Sequence, residues 1–296
     1  MPVKNIGLIL LVIALWGSNF VVIKIGVEAF EPLMLLAMRF TAAGLIFIPF
    51  MKWPGWKQAR MIMLVGFLMG PLHQGLLYVA LETVSASLMS LIMKSNVIMV
   101  TLIGWFFLKE KVGWRTWTGI GVGFLGVATL LGGPSLNAPL FSIILAFLSA
   151  FFIALTYVAQ KKVDSVHPAT YIAFMSLPSA PFIVASSIFI EGLNWTDNIG
   201  SLDWQVIASV VFFQAVIISL THMLWQRLMT QMPISQIIPW TLLIPVFAVG
   251  SAVLFLNEEL SKHMLIGGLM IISGVGIVTL RRIGKAKTPK TDTCDV

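Results

Sequence analysis

Lys94 and Arg39 are the residues best suited to do chemistry, because each stands in a stretch that is otherwise apolar. Ionisable groups at membrane depth are costly and mark function by default. Lys94 lies nine residues into Ser85–Met93–Lys94, about 14 Å below the start of its segment at 1.5 Å per residue. That is too deep for easy snorkelling. An ammonium there needs a wet cavity, an anionic substrate group, or the carbonyls of a helix break. Arg39 stays charged and presents a fork that pairs bidentately with a carboxylate. It serves equally well as an architectural residue. Lys24, four residues before Glu28, reads as a helical ion pair near a segment end.

Uncharged polar groups accompany them. His73 and Gln74 sit in the middle of one apolar run, and Thr221 and His222 in the middle of another. Asn19, Thr156, Tyr157 and Gln160 add hydrogen-bonding groups, and Trp16, Trp225 and Trp240 lie too deep for an interfacial belt. Each alone is an interhelical hydrogen bond or packing group, worth about 0.6 kcal/mol in such settings. As a set with Lys94 they fit the wall of a binding cavity. None of the twelve acidic residues falls inside an apolar run. A carboxylate relay at mid-depth is therefore missing, and a cationic ligand would meet no counter-ion. The expected ligand is small and anionic or zwitterionic. No phosphate-cradling Gly-Lys-Ser loop, metal-spaced His/Cys set or catalytic domain is present, so neither cofactor, metal nor enzyme activity is expected. Cys294 is the only cysteine, which excludes an intrachain disulfide.

The elements that must position these residues are long apolar helices. Hydrophobic residues make up 58% of the chain and charged residues 10%, too few to cover the surface of a water-soluble protein. Runs occur at 6–23, 33–51, 61–81, 84–108, 116–131, 140–160, 169–190, 205–226, 232–256 and 264–280. A bilayer-spanning helix needs roughly 17–25 apolar residues. An all-α, multi-pass membrane protein of ten transmembrane helices follows. With the N-terminus in the cytoplasm, fifteen Lys and Arg fall in cytoplasmic segments and only Lys262 outside. Positive charges collect on the cytoplasmic side during insertion, so the split predicts N-in, C-in topology. The net charge of +7 is then an insertion signature and not a nucleic-acid footprint. Membrane lipid is the expected partner surface.

The chain also repeats. A shift of 148 positions lays Glu110, Gly119 and Gly126 on Glu258, Gly267 and Gly274, with Phe107-Leu108, Val127 and Ser87 also matched. His73 and Gln74 land on Thr221 and His222, and an insertion around 192–203 accounts for the different shift earlier in each half. Residues 1–133 form the first five-helix repeat, 134–283 the second, and 284–296 a polar cytoplasmic tail. Five is odd, so the second repeat enters from the opposite side. Inverted repeats are a transporter architecture, because two similar halves can exchange conformations around a site between them. Glycines pave the fifth and tenth helices, which reads either as a homodimer seam or as packing within the chain.

Two stretches carry a family resemblance. Trp16-Gly17-Ser18-Asn19-Phe20, Lys24-Ile25-Gly26, Pro32 and Arg39-Phe40 open the chain; Pro239, Leu243-Ile244-Pro245-Val246-Phe247, Leu256-Asn257-Glu258-Glu259-Leu260 and Gly267-Gly268 close it. Over residues 5–282 the chain resembles EamA-type members of the drug/metabolite transporter superfamily, and within them bacterial exporters of cysteine and O-acetylserine. It departs from the family where the first repeat usually has Pro and this chain has Val97. The resemblance implies export of small amino-acid-like metabolites across the bacterial cytoplasmic membrane by alternating access. Exchange of phosphorylated or nucleotide-linked metabolites, or a receptor or assembly role without flux, remain open from the residues alone.

Overall fold

The computed structural model describes the backbone of residues 3–107, 113–131, 138–160, 162–163, 166–192, 202–231 and 238–285. Glu110, Trp195, Ser235, most of the 192–203 insertion and Cys294 lie outside these residues. Among the described residues there are helices and turns and no strands. Seven helices are long and apolar enough to cross a membrane: 5–29, 32–50, 56–81, 86–103, 140–160, 168–190 and 204–225. Helices over the remaining runs are α7 (Trp114–Leu131), α13 (Ile244–Leu256) and α14 (Lys262–Lys285).

The first half opens with α1 (Val3–Ala29) and α2 (Pro32–Phe47). Pro32 takes the first helical turn of α2, where a missing N–H costs nothing. Next, α3 (Trp56–Phe67) runs through a π turn at Leu68–Gln74 into α4 (Gly75–Leu81). Pro71 lies inside that turn, which widens because proline cannot donate to the ladder. The fourth segment is split into α5 (Ala86–Met93) and α6 (Ser95–Phe107) at Lys94. No proline stands at this interruption. The Lys94 N–H bonds the Leu91 carbonyl and the Val97 N–H bonds the Lys94 carbonyl, both three residues apart. The Ser95 hydroxyl takes the Ile92 carbonyl at 2.7 Å. Three-residue bonds tighten the backbone and end the α ladder.

The second half answers with α8 (Leu140–Gln160), then α9 (Pro168–Ser176) and α10 (Ala180–Ile190). Its third segment is α11 (Trp204–Phe212), a π turn at Phe213–Ile217 and α12 (Ile218–Gln231). A 3₁₀ stretch at Ile238–Leu243 leads into α13, which stops at Asn257 in the left-handed conformation with φ 51°. Each half thus carries a π turn in its third segment; in the fourth, the first half is interrupted at Lys94 and the second enters α13 through a 3₁₀ stretch.

The halves pack against each other, segment for segment. The α2 helix lies on α9 and α10, α8 on α4, α5 and α6, and α1 on α11, α12 and α13. Equivalent segments run antiparallel. Glu191, just after α10, accepts from the Leu33 and Met34 N–H groups at the start of α2, at 2.6 and 3.2 Å. Lys52, after α2, exchanges backbone bonds with the Thr170 hydroxyl at the start of α9. Glu258, after α13, accepts from the Ala86 and Ser87 N–H groups of α5 at 2.7 and 3.1 Å. These carboxylates satisfy orphan donors at helix starts, where negative charge is also favoured by the helix dipole.

The repeated glycines meet one another. A Cβ on Gly126 would stand 2.8 Å from the Gly267 carbonyl oxygen, and one on Gly274 would stand 2.5 Å from that of Gly119. The four positions are paired by the 148-residue shift. The α7 and α14 helices therefore cross backbone to backbone inside one chain at these four glycines. Gly17 does the same between α1 and α13, 2.7 Å from the Ile244 carbonyl.

Candidate functional site

A small cavity lies where α2 and the first π turn meet α9 and α12. Arg39, Gln74, Tyr171, Ser176, Ser219 and His222 supply its polar wall. Methionines 69 and 175 and Phe40 supply apolar surface. Its volume of about 20 Å³ is room for one water molecule. Two of the wall residues, Gln74 and His222, are equivalents under the internal repeat, so the cavity sits on the relation between the halves.

Arg39 is 7% exposed and belongs to the buried stripe of α2. Its guanidinium donates to the Gln74 Oε1 and lies 5.3 Å from the Phe40 ring centroid. Among the described residues no carboxylate pairs with it. A guanidinium carries five donors, so Arg39 has more to offer than the Gln74 bond uses. One helical turn beyond Gln74, the buried Tyr78 hydroxyl lies beside the Arg39 guanidinium as a second polar neighbour. The His222 Nδ1 is 2.7 Å from the Ile218 carbonyl. A carbonyl only accepts, so Nδ1 carries the proton and Nε2 of the neutral ring presents a lone pair.

The other expected residues go elsewhere. Lys94 is half-buried, and its Nζ donates to the Thr241 carbonyl at 3.2 Å, in the 3₁₀ stretch before α13. The interruption in one half is thus tied to the 3₁₀ stretch of the other. His73 turns away from the cavity; its Nδ1 meets the Ser149 carbonyl and hydroxyl at 3.0 and 2.8 Å, and that hydroxyl donates to the His73 carbonyl. Asn19 accepts from Gln214 on the second π turn. Trp16 donates to Thr221 at 2.8 Å and packs 5.1 Å from the His222 ring and 5.0 Å from Trp225. Trp240 joins that aromatic cluster with Leu243 and Phe247. Tyr157 is 46% exposed and Thr156 bonds its own helix. Gln160 donates to the Tyr171 hydroxyl. Lys24 bonds Glu28 at 3.2 Å and the Leu81 and Glu82 carbonyls at 2.9 Å each.

Several contributors carry no sequence signal of their own. Ser149, Ser176 and Ser219 are single serines in apolar helices, a common pattern for packing. Tyr171 and Tyr78 read equally well as aromatic filler. Glu191 and Glu258 sit at segment ends, where charge is ordinary.

The chain matches the EamA-like transporter family twice, over residues 3–132 and 140–280. It belongs to that family. The two matches are the two halves described above, and the family is a branch of the drug/metabolite transporter superfamily. Among EamA relatives, a "Probable amino-acid metabolite efflux pump" of Escherichia coli K12 is 28% identical over 285 residues, covering 93% of this chain and 94% of that one. The protein of the same description in Salmonella typhimurium LT2 is 29% identical over 288 residues, covering 93% and 94%. A solved crystal structure with 17% identity superposes with a TM-score of 0.65 over 96% of this chain and 98% of its own, which establishes the shared fold. This protein is accordingly a multi-pass EamA membrane transporter.

Proposed function

We propose that the protein is a secondary transporter that exports small amino-acid-like metabolites across the bacterial cytoplasmic membrane by alternating access. Ten transmembrane helices in two inverted repeats, with both termini in the cytoplasm, carry it. The observation that supports this most is a buried guanidinium with no carboxylate partner among the described residues, in a cavity shared by both halves. A binding site at the interface of antiparallel repeats is the arrangement that rocking of one half against the other exposes to each side in turn. The efflux-pump relatives give the metabolite class.

In this orientation Leu33, Ala86, Glu191 and Glu258 lie at the outer face. The ties at that end, with Thr83 donating to Ser142 at 2.7 Å, hold it shut. A cavity of one-water size cannot take a metabolite, so loading requires the halves to part. The first π turn borders the cavity, the second runs into α12 just before Ser219, and both are the pliable points: a π turn holds an extra residue that an α ladder can expel. Arg39, Gln74 and His222 form the substrate wall; Lys94 and Thr241 join the interruption to the 3₁₀ stretch.

The test is counterflow of radiolabelled neutral amino acids in proteoliposomes. Accumulation driven by unlabelled substrate inside is expected. Ligand binding without counterflow would make the protein a receptor and overturn the proposal. Orientation is checked with an impermeant maleimide on Cys294, expected to label inside-out vesicles and spare intact cells.

A further inference from the structure

The cavity has two poles, and their chemistry differs. On one side stands the Arg39 guanidinium, held by Gln74 and lacking an anion among the described residues. The Tyr78 hydroxyl lies behind it, outside the cavity wall, as a polar neighbour of the guanidinium. On the other side the Ile218 carbonyl commits the His222 Nδ1–H, which leaves Nε2 as an acceptor. Ser219, three residues before His222 on α12, and Ser176 on α9 add hydroxyls with no hydrogen-bond partner among the described residues.

We infer that this cavity is a head-group subsite for an α-amino carboxylate. The carboxylate pairs with Arg39, which offers two parallel N–H bonds. The ammonium donates to the His222 Nε2 and to the serine hydroxyls. This inference rests on the transport reading above and specifies the substrate it handles. The apolar part of the wall is rich in methionine, which adapts to different shapes, so the side chain of the substrate is read loosely. Phosphorylated substrates are excluded by charge. Arg39 is the one cation on the wall, and Lys94 is engaged elsewhere with the Thr241 carbonyl. A phosphate dianion would be left half-compensated in a desolvated site, which is costly.

The probes are L-alanine, L-serine, L-leucine and L-methionine, together with 4-methylpentanoate, 3-methylbutylamine and L-phosphoserine. Affinity is measured by calorimetry and by thermal shift on the purified full chain. Leucine is expected to bind at least ~10-fold tighter than 4-methylpentanoate, which lacks its amine, and than 3-methylbutylamine, which lacks its carboxylate, because each analogue leaves one buried polar pole unpaired. L-Phosphoserine is expected to bind more weakly than L-serine. Arg39→Gln should weaken leucine and 4-methylpentanoate together and spare the amine. His222→Leu should weaken leucine and spare 4-methylpentanoate. Equal affinity for leucine and 4-methylpentanoate, tighter binding of phosphoserine than serine, or no binding of any amino acid would overturn the subsite. The wild-type comparison needs no variant, so a misfolded mutant cannot obscure it. Counterflow on the same preparation separates the two proposals. Binding with the stated preference but no flux sinks transport and leaves the subsite; amino-acid flux insensitive to both poles sinks the subsite and leaves transport.

Discussion

Lys94 and Arg39 look alike in the sequence, as lone cations in apolar helices, and their surroundings divide them. Arg39 faces a polar cavity and has donors to spare. Lys94 spends its ammonium on a carbonyl of the opposite half's fourth segment. The residue four positions after Thr241 is Pro245, which has no N–H to offer that carbonyl, and the Lys94 ammonium donates to it. We expect Lys94 to act through this contact and not through the ligand. Lys94→Met keeps the volume and removes the charge. It is expected to cut the counterflow rate severalfold while changing amino-acid affinity less than about 3-fold, roughly 0.6 kcal/mol. Calorimetry beside flux reads both; an affinity loss as large as that of Arg39→Gln would return Lys94 to the binding wall. His73 teaches the same lesson from the other side. It is the sequence neighbour of a cavity residue, yet it is committed to Ser149 on α8. Adjacent positions on a helix point about 100° apart, so only one of the pair can face a given void.

At the scale of elements, the stiff parts and the pliable parts are built differently. The α7–α14 crossing has glycine backbone against glycine backbone, with no room for a side chain. Gly126→Leu should force the helices apart. We expect a destabilisation of about 2 kcal/mol, within the range for overpacking, seen as a lower Tm in detergent. Gly121→Leu, where a Cβ meets nothing within 4 Å, is the matched control and should leave Tm unchanged. Similar losses for both would mean that the crossing is not a tight contact. The third segments are built the opposite way. Each carries a π turn, the first lining the cavity with Pro71 inside it and the second leading into the cavity residues of α12, so the ladder there is already irregular and cheap to rearrange. In the fourth segment of the first half the helix is interrupted at Lys94 without a proline. Ser95 and three-residue backbone bonds mark the interruption.

For the whole molecule, the consequence of antiparallel halves is that each end is closed by a different set of ties. One end is held by Glu191 to α2, Glu258 to α5 and Thr83 to Ser142; the other by Lys52 to Thr170. Alternating access requires that these sets open in turn. Cysteines replacing Thr83 and Ser142, with Cys294 replaced by Ser, are expected to cross-link under oxidant and to abolish counterflow, which reductant restores. Full flux in the cross-linked protein would show that this end never opens. The ties are a handful of bonds at helix ends, each worth about 1 kcal/mol when capping is lost.

Composition and loop charge were enough to reveal a helical membrane protein, because a chain that is 58% hydrophobic has no way to cover itself with polar surface. The repeat, the family and the list of polar residues at depth were legible for the same reason: in so apolar a chain every polar residue stands out. What remained hidden was which of those residues meet. His73, Asn19, Trp16 and Lys94 each found a partner on another helix, while Arg39, Gln74 and His222 were left around one void. Their partners are serines, backbone carbonyls and single tyrosines, groups that every helix contains. Only the packing of one half on the other chooses among them, since that choice depends on helix rotation and crossing, which are set by glycine contacts far from the cavity.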